Sequence, residues 1–121
     1  MSVCFVVQAK VKPGSEGEFL QRFDDLRRRI EVGLDGHVVH TLSQNMDDPS
    51  RWMIFAHWED AVAAEQWERS PEHRELIMAM RACWEEVQRS RYEVQVEARR
   101  QREPAQPYAP AAVQPQARRA T

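Results

Sequence analysis

The stretch RWMIFAHWEDAVAAEQWERSPEHRELIMAMRACW, residues 51–84, organises the whole chain. It holds all four tryptophans and two of the four histidines, His57 and His73. Its apolar period changes midway. Arg51–Trp58 is a dense apolar run of strand length, whereas from Ala61 onward the apolar residues return at helical spacing. Trp58-Glu59-Asp60 is the hand-over, and Ser70-Pro71 is a second break. Ser70 reads as an N-cap, with Pro71 at the first helical position and Glu72 in the first turn. A strand, a short helix over Ala61–Arg69 and a longer helix after the corner wrap several large side chains around one volume. The long helix carries Leu76, Met80, Cys83 and Val87 on one stripe, with His73, Ile77 and Trp84 alongside.

Upstream, Val3–Val11 is apolar and β-branched enough for a strand, ended by Lys12-Pro13-Gly14. Phe19, Phe23, Leu26 and Ile30 then form one helical stripe from Glu16 onward, with a charged face opposite. Gly33 and Gly36 bracket the end of that helix. His37–Gln44 reads as a second strand, and the turn Asn45–Ser50 joins it to Arg51–Trp58 as an antiparallel hairpin. Downstream, Arg91–Val96 alternates as a fourth strand. The order is βαββαβ with a broken second helix, an α+β, ferredoxin-like arrangement of two helical layers' worth of chain on one sheet face.

At 121 residues the chain has room for one core. Its formal net charge of −2 gives no global field for nucleic acid or an anionic membrane. No apolar run approaches the roughly 18–20 residues of a membrane span, and the N-terminus reads as a strand and not as a signal peptide. Cys4 and Cys83 show no metal-ligand spacing; two free thiols in a cytoplasmic protein is the reading taken, with a disulfide as the alternative. Residues 1–96 form the expected domain. Residues 97–121, rich in Arg, Pro, Gln and Ala, read as a disordered tail. Both faces of the first and third strands are apolar, yet helices cover only one. A second copy packed sheet on sheet resolves this, so a homodimer is expected.

With that order in place, residues 3–96 resemble the antibiotic biosynthesis monooxygenase family. The carriers are the strand running into Lys12-Pro13-Gly14, the turn Asp47-Asp48-Pro49-Ser50, Phe55-Ala56-His57-Trp58-Glu59-Asp60, and Ala64–His73 (AEQWERSPEH). The resemblance implies a dimeric α/β barrel. It also implies, for the quinone-forming members, oxidation of a phenol or anthrone in a polycyclic aromatic polyketide by molecular oxygen, with no cofactor and no metal. Trp58 matches the strand-ending tryptophan of their pocket. Ile54 stands where they have an asparagine and Ala64 where they have a tyrosine. In the haem-degrading branch, Trp67 matches the haem-ruffling tryptophan, but Ile77 replaces the axial histidine and Val7 the strand-one asparagine.

Trp58 and Trp67 suit stacking on a flat ring, with a core role as the alternative for each. Trp84, Met80, Ile54 and Phe23 complete the expected substrate lining. His73, in the first turn of the long helix, is disfavoured from protonation by the helix dipole and can serve as a base; a solvated histidine is the alternative. His40, mid-strand among apolar neighbours, joins Trp58 and His73 as the expected catalytic set, while His57 points toward the expected dimer face. Arg74 could steady an anionic ring oxygen. A non-oxidative cyclase using the same pocket and a non-catalytic binding module are the competing functions.

Overall fold

The computed structural model describes residues 1–100. Seven elements follow in order: β1 (Val3–Val11), α1 (Glu16–Val32), β2 (His37–Gln44), β3 (Arg51–Trp58), α2 (Ala61–Arg69), α3 (Pro71–Arg81) and β4 (Trp84–Glu93). The strands form one antiparallel sheet in the order β2-β3-β1-β4. This is the ferredoxin-like α+β fold with its second helix split in two.

Side chains alternate across the sheet. Val3, Phe5, Val7 and Ala9 of β1 lie opposite Trp58, Ala56, Ile54 and Trp52 of β3, and this set faces the helices. Phe19, Trp58 and Met80 are the largest fully buried side chains, and burial of each stabilises the fold by roughly 1.5–3 kcal/mol. Trp52 belongs to this core, its ring edge-on to Phe19 with centroids 5.5 Å apart. The opposite face carries Val6 beside Phe55 and Gln8 beside Met53.

Local chemistry sets the breaks. Asp60 caps α2 by accepting from the Val62 N–H at 3.0 Å. Ser70 ends α2 and caps α3: its hydroxyl donates to the Trp67 carbonyl at 2.6 Å and accepts from the His73 N–H at 3.1 Å. Gly36, at φ 77°, turns the chain into β2 where an added Cβ would meet the Ala63 Cβ at 3.1 Å.

One element differs from expectation. The long helix stops at Arg81, so Cys83 lies in the following turn, and Trp84 and Val87 belong to β4. The fourth strand thus begins seven residues before Arg91, the predicted start. Met80, Cys83 and Val87 mimic a helical stripe, but the free edge of β1 offers a full ladder of backbone partners, and pairing wins over local propensity. The Lys12 N–H donates to the Cys83 carbonyl at 2.8 Å, and the Lys12 ammonium donates to the Ala82 carbonyl at 3.0 Å. Cys4 and Cys83 are free thiols. No helix of the described residues is long and apolar enough to cross a membrane. The tail reading falls, from residue 101 onward, outside the described residues.

Candidate active site

Because α2 and α3 meet at a corner, they leave an opening over β1 and β4. A cavity of about 260 Å³ lies there, near the lower end of the ~300–1,000 Å³ usual for small-molecule sites. Phe5 and Val7 form its floor, Trp84 closes one end, and α3 contributes His73, Ile77 and Arg81. These three are spaced i, i+4, i+8, one stripe of the helix. Glu68 from α2 and Arg89 and Arg91 from β4 complete the polar lining. A more open depression of about 320 Å³ lies by the β2–β3 turn, beside Gln44, Asn45 and Arg51. It offers no histidine or carboxylate, so the chemistry belongs to the first cavity.

His73 is the one imidazole at the cavity wall. Its Nδ1 lies 3.2 Å from the Glu68 carbonyl oxygen. A carbonyl only accepts, so Nδ1 carries the proton and Nε2 keeps a free lone pair. Burial is the main cause pushing its pKa below the ordinary 6.5, and the Arg89 charge adds to this, against the opposing pull of the Glu68 carbonyl. Trp67 packs edge-on against His73 with centroids 5.3 Å apart, and the Arg29 guanidinium lies 5.6 Å from the Trp67 ring centroid on the other side. Ring and cap together fix the base.

Charge around the cavity is unbalanced. Arg91 pairs with Glu68 at 3.4 Å and lies 5.0 Å from the Phe5 ring centroid. Burial pushes the Glu68 carboxyl upward, with Arg91 opposing. Arg81 and Arg89 form no ion pair among the described residues. The Trp84 side chain is only 7% exposed, and its indole N–H is buried without an acceptor. Among the described residues no three His, Cys, Asp or Glu side chains gather to hold a metal.

Of the residues singled out from the sequence, His73 and Trp84 line this cavity. Trp67 stands behind His73. Ile54, one strand away, lies opposite Val7 in the sheet core, and Met80 is fully buried beneath α3. Phe23 packs against the core from α1. Trp58, 1% exposed, meets the edges of His37 and His40 with centroids 5.3 and 6.3 Å away. His40 bonds His37 across 2.8 Å, and burial, with smaller contributions from His37 and His73, pushes its pKa down to about 3. The structure thus separates two groups: His73 with Trp84 at the cavity, and Trp58 with the histidine pair at the β2 side. Sequence reading missed Arg81, Arg89 and Glu68 as lining residues. Counting four and eight residues on from His73 finds Arg81, and starting β4 at Trp84 would have placed Arg89 and Arg91 on the inner face.

Comparison with known proteins fits this geometry. The chain is 29% identical over 89 residues to a 42.8 kDa protein in the whiE locus of Streptomyces coelicolor, covering 74% of this chain and 22% of that protein. It is 27% identical over 113 residues to protein SchA of Streptomyces halstedii, covering 93% and 30% respectively. The chain therefore spans less than a third of these curated relatives. The cofactor-independent oxygenase SnoaB of Streptomyces nogalater superposes with a TM-score of 0.69 at 23% identity, covering 79% of this chain and 95% of SnoaB. A conserved protein of Methanosarcina mazei gives 0.72 at 20% identity, covering 78% and 94%. These two likenesses are of fold. Residues 2–78 match the family model for antibiotic biosynthesis monooxygenases, and on that match over more than half its length the chain belongs to this family.

Proposed function

We propose that the chain is a cofactor-independent monooxygenase that oxidises a phenol or anthrone within a polycyclic aromatic, polyketide-type substrate to a quinone. The observation that carries this is His73, a neutral imidazole with a free Nε2 lone pair at the wall of a cavity edged by guanidinium groups. Such a wall removes a proton and stabilises the resulting anion.

In the reaction, Trp84, Phe5 and Ile77 hold the ring plane and keep bulk water away. His73 Nε2 takes a proton from the anthrone, and the Arg89 charge favours the ring anion. The electron-rich anion passes one electron to molecular oxygen, and the two radicals recombine as a carbon-bound peroxide anion. His73 returns its proton to give the hydroperoxide. It then removes the remaining hydrogen of that carbon as a proton while the O–O bond breaks, leaving a ketone. The departing hydroxide takes the proton, so anthrone plus oxygen becomes quinone plus water. Trp58 and His40 support the site from the β2 side in this reading. Two copies packed through the outer sheet face complete the assembly, with Val6, Met53 and Phe55 at its centre.

The test is direct. Purified, metal-stripped protein is mixed with a hydroxyanthrone under air, and oxygen uptake is followed with quinone absorbance. One oxygen consumed per quinone supports the oxygenase. Turnover that persists under argon transfers the same base and cations to the second reading, a cyclase working through an enolate. Binding without turnover leaves a sheltering module.

A further inference from the structure

The cavity carries more positive charge than one ring anion needs. Three arginines line it against the single carboxylate of Glu68, in a chain whose formal net charge is −2. Their placement divides them. Arg91 is engaged with Glu68, and the Arg89 charge reaches His73. Arg81 stands apart: eight residues beyond His73 on α3, it is about 12 Å further along the helix axis at 1.5 Å per residue. No oxygen held at His73 reaches it. It is exposed at the cavity rim, without an ion pair among the described residues. Next to it in the chain, across a two-residue turn, is Trp84, whose buried indole N–H also lacks an acceptor. A guanidinium and an unsatisfied indole donor at one end of an apolar slot form a receptor for an oxyanion.

We propose that the substrate is an aromatic carboxylic acid, bound with its ionisable ring at His73 and its free carboxylate at Arg81 and the Trp84 indole N–H. The fused rings bridge the two polar ends over Phe5, Val7 and Ile77. This rests on the oxygenase reading for the identity of the ring end, but the carboxylate end stands on its own geometry. It fixes orientation: a ring system with one charged end enters in a single sense, placing one carbon, and not its mirror position, beside His73. It also defines what must supply the substrate, a reaction that releases a free acid and not a neutral ester or a decarboxylated ring.

The test uses the full chain, a hydroxyanthrone bearing an acetic acid side chain remote from its phenol, and the methyl ester of the same compound. Binding is measured under argon by quenching of tryptophan fluorescence, so no turnover is required. The acid binds about tenfold more tightly than the ester, in keeping with a charge-assisted bond. Arg81→Gln brings the acid to the level of the ester and leaves the ester unchanged; Arg81→Lys retains part of the preference. Equal binding of acid and ester by the native protein overturns the proposal, as does an Arg81→Gln variant that weakens both alike. An acid preference without oxygen uptake in air sinks the oxygenase reading and leaves the carboxylate site standing. Oxygen uptake with no acid preference does the reverse, and failure of both compounds to bind removes both.

Discussion

The Glu68 carbonyl oxygen accepts from His73 Nδ1 at 3.2 Å, and this one bond decides which nitrogen faces the chemistry. A base held in one tautomer and kept from protonation by burial works at neutral pH. Activity therefore rises with pH through a pKa below 6.5 and is flat above it. Asn or Gln at position 73 lowers kcat by about 10²–10⁴-fold, the usual contribution of a positioned base, and the acid limb disappears from the pH–rate profile. A variant that keeps both its rate and its acid limb would remove His73 from the mechanism.

Ser70 bonds the last turn of α2 and the first turn of α3 at once, through the Trp67 carbonyl and the His73 N–H. Ser70→Ala removes both contacts and costs about 1 kcal/mol as a lost cap. Its second effect falls on the site, since His73 and Trp67 flank the corner. The expected signature is a lowered kcat with KM little changed, together with a modest drop in Tm. Thr, which restores the hydroxyl, recovers both. Recovery of Tm without kcat would disconnect the corner from the base.

Trp58 and Trp67 are both large and buried, but they face different neighbours. Trp58 supports the His37–His40 pair in the core, and its replacement by Ala costs about 3–5 kcal/mol, as for other large aromatic deletions. Trp67→Phe retains a ring against His73 and is mild, whereas Trp67→Ala frees the imidazole and exposes the ring partner of Arg29. Chemical denaturation separates the two sites. The first variant loses stability, and Trp67→Phe keeps most of its stability and rate.

Much of this architecture was legible because the residues state it twice. Arg51–Trp58 announces a strand by its β-branched and aromatic run, and Ser70-Pro71 announces a helix start by cap and ring geometry. The edges of β1, α1, β2, β3 and α2 follow from such doubled signals. β4 has no such redundancy. Trp84–Glu93 is mostly polar, its glutamates and glutamine favour helix, and only the open edge of β1 makes it a strand. The site suffered from the same gap. Its arginines are inward-facing only once β4 is in register, with Arg89 opposite Val7 and Arg91 opposite Phe5. His73 was readable from its place in the first turn of a capped helix. Separation of Trp58 from the cavity was not, because the sheet face it occupies is wide enough to hold a core and a pocket side by side.

Val6 and Phe55 are cross-strand partners at the centre of the outer sheet face, flanked by Met53, and none is covered by a helix. Two such faces brought together bury an apolar surface that a lone chain leaves in water. Phe55→Glu places like charges opposite one another across that junction and is expected to give monomers. Light scattering reads the mass directly, with the native chain at twice the monomer mass. A native chain that runs as a monomer overturns the pairing. Unchanged mass in the variant moves the junction away from Phe55.

His40 and His37 share one hydrogen bond at 2.8 Å, stacked with centroids 4.9 Å apart, and neither can gain a proton without meeting the other's charge or losing the bond. Burial lowers both pKa values, His40 to about 3 from an ordinary 6.5. Below 6.5 the unfolded chain takes up protons that the folded chain refuses, so stability falls as pH drops through that window toward 3. Each such histidine contributes a slope of up to about 1.4 kcal/mol per pH unit. Stability stays level above pH 6.5 as far as these two groups are concerned. His40→Gln removes the steeper contribution, and urea midpoints at pH 7 and pH 5 then differ less than in the native protein. An unchanged difference would assign the acid sensitivity to carboxylates such as Asp48, held low by Ser50, and not to the histidine pair.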